Sequence, residues 1–103
     1  MRGLRILPRA ERDLDEIADH IARDSIHAAL RLYRSAESTF ERLRRTPEIG
    51  AKYEPRSPRL RRLRVWPLSD FAKILVFYVP SPSHVTVIRV LHGARDLPTA
   101  LTG

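Results

Sequence analysis

Apolar residues along this chain change their period several times, and those changes mark its elements. Between Arg2 and Leu7, Leu4 and Ile6 alternate against Arg5 and Leu7, the pattern of a short first strand ended by Pro8. From Arg9 to Asp24 the apolar positions are Ala10, Leu14, Ile17, Ala18, Ile21 and Ala22, a spacing that lines one face of a helix. Glu11, Asp13, Asp15, Glu16 and Asp19 then fall on its solvated face, with acids in the early turns where the helix dipole favours them. Ser25 is placed to cap a second helix, whose stripe Ala29, Tyr33, Ala36, Phe40 and Leu43 runs to Arg45 and is stopped by Thr46-Pro47. Tyr33 and Phe40 are expected in the core. Arg42, Arg44 and Arg45 sit where a helix C-terminus favours cations, and the short Asp24–His27 link predicts an antiparallel helical hairpin.

Beyond the hairpin the period becomes that of strands. Glu48 to Pro58, with Gly50, Pro55 and Pro58, has no periodicity and reads as a loop, on which Tyr53 is expected to pack. Arg59 to Trp66 reads as a strand broken at Pro67, with Arg61, Leu63 and Val65 on one face and Arg62, Arg64 and Trp66 on the other. Lys73 to Val79 is almost wholly apolar, the mark of a central strand covered on both faces. Pro80-Ser81-Pro82-Ser83 makes a turn. His84 to His92 follows as a strand, placing Val85, Val87, Arg89 and Leu91 opposite Thr86, Ile88, Val90 and His92. Gly93 closes it and a short tail follows. The expected fold is therefore α+β in the order β-α-α-β-β-β: an N-terminal strand, then an antiparallel helical hairpin packed on a C-terminal three-stranded antiparallel meander. One domain is expected over residues 1–103.

Composition narrows the class. Hydrophobic residues at 43% and charged residues at 30% fit a globular chain, and no apolar run approaches the roughly 20 residues of a membrane helix. The N-terminus is too short and too charged for a signal peptide, so the cytoplasm is the expected location. There is no cysteine, hence no disulfide or thiol nucleophile, and no pair of histidines and carboxylates has metal-ligand spacing. No cofactor and no metal are expected. The net charge of +7 favours an acidic partner. Its excess is uneven, with ten Arg/Lys against eight Asp/Glu in residues 1–45 and nine against four thereafter.

The densest positive charge lies in Arg56 and Arg59-Leu60-Arg61-Arg62-Leu63-Arg64-Val65-Trp66. An edge strand needs only one or two cations to resist aggregation, and this segment exceeds that. Arginine's planar fork pairs bidentately with carboxylates or phosphates, so an acidic protein segment and a nucleic-acid backbone are both admissible ligands. Trp66 serves equally as an interface anchor or as core filling. His20 and His27 are expected at the surface.

Several segments together resemble the RelE/ParE toxins of bacterial type II toxin–antitoxin systems. They are Ala10-x-x-Asp13-Leu14-x-x-Ile17-Ala18-x-x-Ile21-Ala22, then Ala29, Phe40, Leu43, Pro47 and Gly50, the basic strand, Leu75-Val76-Phe77-Tyr78, and Val90-Leu91-His92-Gly93-Ala94-Arg95-Asp96. The resemblance implies a small basic toxin associated with plasmid stabilisation, forming a hetero-oligomer with a cognate antitoxin whose acidic or amphipathic segment neutralises it. One branch of that superfamily cuts messenger RNA on the ribosome, and the other inhibits DNA gyrase without chemistry of its own. The tail after Asp96 has no tyrosine, and Ile74 stands about where the nuclease branch often has an arginine, so the ParE-like, gyrase-binding branch is favoured.

Metal-free RNA cleavage would need a base, cations for the developing phosphate charge and a proton donor. Arg62, Arg64, His92 and Arg95 would be that set, with His92 as base. A lone histidine ending a strand is more often held by its backbone neighbours, so no catalytic residue is favoured. Arg56, Arg59, Arg61, Arg62, Arg64, Trp66 and Arg95 are expected as a partner-binding face instead.

Overall fold

The structure, a computed structural model, describes residues 2–53 and 61–93. Among the described residues, five strands and two helices occur in the order β1 (Gly3–Ile6), α1 (Pro8–Ala22), α2 (Ile26–Arg45), β2 (Ala51–Lys52), β3 (Arg64–Leu68), β4 (Phe71–Pro80) and β5 (His84–His92). Pro8 opens α1, because its locked φ suits a first helical position whose N–H needs no partner. Ser25 caps α2 by accepting from the Ala28 N–H at 3.1 Å, a contact worth about 1 kcal/mol. The helices share one side of a sheet ordered β1-β5-β4-β3-β2.

The expected α+β architecture holds, with two additions. β1 pairs parallel with β5, from Gly3 opposite His84 to Ile6 opposite Val87, which makes the sheet mixed. β2 adds a two-residue antiparallel edge to β3. Ala51 and Lys52 are both exposed, so no hydrophobic alternation announces that strand.

β4 is covered on both faces, as its composition predicts. Val76, Tyr78 and Ile74 join Leu32, Phe40, Leu43 and the helix alanines in the main core. Phe77 joins Leu63 and Leu91 in a second cluster on the other face, where the Tyr53 ring meets Phe77 edge-on at 5.3 Å. β5 departs from simple alternation. Phe77 pairs with Arg89 but Tyr78 with Val87, so Ile88 is an extra residue. This bulge lets Val85, Val87 and Val90 all reach the main core while Leu91 goes to the second cluster, correcting the faces expected for Val90 and Leu91.

Two helix residues are also reassigned. Tyr33 is not core: it is 40% exposed, and its hydroxyl donates to Asp15 Oδ1 at 2.6 Å. Asp13 does not belong to a solvated face: it is 4% exposed and accepts from Arg89 Nε at 2.7 Å, Arg89 Nη2 at 3.0 Å and the Val90 N–H at 3.1 Å. Helical spacing puts Asp13 at the margin of the buried face, and only a cation on the facing strand makes burial there tolerable.

The Tyr33 contact yields a solution test. The hydrogen bond to Asp15 first, then partial burial and the charges of Asp15 and Asp19, push the phenol up to about 12. Asp15→Asn should move this titration back toward the ordinary 10.0, read as tyrosinate absorbance against pH. An unchanged titration would mean that the contact does not persist in solution.

Candidate functional site

The expected arginine strand is divided by the fold. Arg61 and Arg62 lie in a turn before β3, both exposed, and the strand begins only at Arg64. It then continues through Pro67 to Leu68. Pro67 does not break it, because β2 pairs with β3 only at Arg64 and Val65, leaving the Pro67 position on an open edge where no donor is required. Arg56, Arg59 and Arg95 lie outside the described residues.

Alternation within the strand is as expected. Leu63, buried at its entrance, and Val65 face the second cluster, whereas Trp66 packs against the main core beneath the helices. Trp66 also lines an open groove of about 1050 Å³ between the C-terminal half of α2 and the β3–β4 turn, beside Arg42, Arg45 and Asp70. Asp70 occupies that turn with φ 65°, a left-handed conformation that aspartate tolerates better than most residues. Arg61 and Arg62 do not line this groove.

Arg64 is a brace. Its Nη1 donates to the carbonyls of Gly50 at 2.6 Å and Glu48 at 3.1 Å. Next to it the buried Tyr78 hydroxyl donates to the Pro47 carbonyl at 2.8 Å and accepts from the Gly50 N–H at 2.9 Å. Burial pushes the Tyr78 phenol up, partly offset by the Gly50 donor and the Arg64 charge. Two side chains from adjacent strands thus fix the Pro47–Gly50 corner that leads into β2. Gly50 fits because a Cβ there would lie 2.5 Å from the Tyr78 hydroxyl and 2.9 Å from the Val65 carbonyl.

His92 lies elsewhere. It ends β5, half-buried, opposite Ile74, whereas Arg64 sits opposite Tyr78. Four residues along β4 and two strand spacings separate these positions, roughly 15 Å between backbones. On the helix-facing side that gap is filled by Trp66 and Val76 of the main core. Arg62 lies farther still in sequence from the His92 end. The structure does not bring Arg62 or Arg64 together with His92. Ile74 is 6% exposed in the main core, a position where an arginine would be buried.

In the sequence Asp13 is one of a row of acids and Arg89 one position of a strand, and neither alone marks an ion pair. The signal was present in the pattern, since Arg89 interrupts a strand that is otherwise apolar on its inward positions. Pairing the two residues needs the tertiary fold. The Asp13–Arg89 ion pair ties the first helix to the last strand and lends the sheet a fixed helical cover.

Among the described residues, no helix is long and apolar enough to cross a membrane, and no group of three or more His, Asp or Glu is placed to hold a metal ion. The fold is similar to that of a solved chromosomal ParDE toxin–antitoxin system from P. aeruginosa. The TM-score is 0.71 at 19% identity, covering 89% of this chain and 96% of that one. A search of the curated proteins finds no match. A family model described as the ParE toxin of type II toxin–antitoxin systems, parDE, matches residues 4–97. That match takes in both helices and, but for Gly3, the five strands of the described residues, and the chain belongs to the ParE toxin family of type II toxin–antitoxin systems.

Proposed function

We propose that this protein inhibits growth by binding DNA gyrase, performs no chemistry itself, and is neutralised by a cognate antitoxin with an acidic, amphipathic segment. The observation that carries the reading, beyond family membership, is the distance of His92 from Arg64: two residues that would have to cooperate in RNA cleavage are set roughly 15 Å apart, backbone to backbone, by strand register. Binding makes no such demand. Arg61 and Arg62, exposed on a turn, can meet carboxylates or phosphates one at a time. Arg56, Arg59 and Arg95 are partner-binding residues in the proposal as well, while Arg64 braces the Pro47–Gly50 corner and Trp66 lines the groove beside α2.

Expression in cells should elicit a DNA-damage response and linearised plasmid. Codon-positioned cuts in messenger RNA without DNA damage would replace this reading by ribosome-dependent endonuclease action. Arg61→Glu with Arg62→Glu should weaken partner binding most at low salt, where surface charge is least screened. Those two positions are preferable to Arg64, whose replacement would also release the Pro47–Gly50 corner. Unchanged toxicity and unchanged antitoxin affinity in the double variant would remove the turn from the binding face.

A further inference from the structure

The large apolar residues exposed among the described positions are Leu4, Ile26, Leu30 and Tyr33, and three of these four share one stripe of α2. Ile26, Leu30 and Tyr33 are spaced i, i+4, i+7, so they form a row along the helix, 68%, 51% and 40% exposed. Scattered apolar residues need no explanation, but an aligned row on the outer face of a helix does.

The row has charged borders of opposite sign. On the side of α1, the Tyr33 hydroxyl bonds Asp15, and Asp19 is close enough to act on it. Glu11, Asp15 and Asp19, spaced four apart and all exposed, make an acidic row along that border. On the far side of α2, His27, Arg31 and Arg34 repeat the i, i+4, i+7 spacing one residue on from the apolar row, and all are exposed. The outer face of the hairpin thus carries an acidic, an apolar and a basic row side by side, with Arg23 following the acidic row and Glu37 the apolar one at the same spacing.

We infer that this face is the interface with a second copy of the chain, in a two-fold dimer whose axis runs parallel to α2. Such an axis lays apolar row on apolar row and carries each acidic row over the other copy's basic row. A two-fold axis across α2 would instead set acid on acid and base on base. Because the Tyr33–Asp15 contact aligns the antiparallel helices, Arg34 falls at the height of Asp15 and Arg31 near that of Asp19. The ion pairs between copies are therefore Arg34 with Asp15 and Arg31 with Asp19. Leu30 meets its own counterpart near the axis. A seam of about two helical turns buries less than the roughly 1,200 Å² of a standard stable interface, so the dimer is reversible, with a dissociation constant on the order of micromolar.

The full chain is tested by sedimentation velocity across a concentration series. A monomer–dimer equilibrium that weakens with added salt is expected. Arg31→Glu should weaken it on the order of tenfold, and adding Asp19→Arg in the same chain should restore it by reversing the pair. The chain has no cysteine, so Leu30→Cys gives a clean geometric readout. It should form a disulfide-linked dimer under mild oxidation, while Ser83→Cys, exposed on the β4–β5 turn, should not. Leu30 is half-exposed, so its substitution leaves folding intact. A monomer at every concentration overturns the inference, as does cross-linking of Leu30→Cys no faster than that of Ser83→Cys. Loss of a different partner's binding on Leu30→Glu, with the wild-type chain monomeric throughout, would likewise overturn it and assign the face to that partner.

Discussion

Asp13→Ala should lower the unfolding free energy by about 3–5 kcal/mol. Asp13 is 4% exposed and accepts three hydrogen bonds, two from the Arg89 guanidinium and one from the Val90 N–H. Alanine removes the carboxylate, so the largely buried guanidinium loses two charge-assisted hydrogen bonds and the buried Val90 N–H loses its acceptor. The weaker contact from Arg9, at 3.5 Å and with Arg9 44% exposed, adds little, because exposed pairs are screened. Asp13→Asn keeps one acceptor and should cost less, about 1–3 kcal/mol. Replacing both partners with apolar residues of similar volume should recover much of the loss. Urea unfolding with an unchanged slope is the measurement. A loss below about 1 kcal/mol for Asp13→Ala would mean that the pair is solvated in solution and does not anchor the helix layer.

Gly50→Ala has the second largest expected effect, about 2–3 kcal/mol. The added Cβ would sit 2.5 Å from the Tyr78 hydroxyl, 2.8 Å from its Cε1 and 2.9 Å from the Val65 carbonyl, and Tyr78 is fully buried and cannot swing aside. Something must move, and what moves is the corner that Tyr78 and Arg64 hold together. Tyr78→Phe alone should cost about 1–3 kcal/mol by leaving the Pro47 carbonyl and the Gly50 N–H without the hydroxyl. Combined with Gly50→Ala it should cost less than the two added, since removing the hydroxyl relieves part of the clash. Additive losses would show that the Tyr78 ring carbon and the Val65 carbonyl, rather than the hydroxyl, constrain Gly50. Weakened partner binding in Gly50→Ala at a temperature where it remains folded would link this corner to the basic turn that follows β2.

Helix existence was plain from the sequence because apolar spacing is a local property. The stripe Ala10, Leu14, Ile17, Ala18, Ile21 and the Ser25 cap need no knowledge of any other part of the chain. β4 was equally legible, since a continuous apolar run has to be covered on both faces. Tyr33 was misplaced for the same local reason: its spacing matches Ala29, Ala36 and Phe40, but it stands at the edge of the stripe, where Asp15 offers its hydroxyl a partner near water. The β5 faces were misassigned because the bulge at Ile88 resets the alternation, and nothing in a Val-rich run announces an extra residue.

The amino-acid sequence by itself determined both helices, β1, β4 and β5, the α+β class, the family resemblance and the presence of a basic segment before β3. These follow from short-range periodicity, turn chemistry and charge, which are written into neighbouring residues. Tertiary structure alone decided what the charges are for. It buried Asp13 against Arg89 from seventy-six residues away, turned Arg64 into a brace for Pro47–Gly50, left Arg61 and Arg62 outward, and set His92 apart from them. A charged side chain's role depends on which partner the fold brings within hydrogen-bond reach and on how much water remains around it, and neither is a property of its neighbours in sequence.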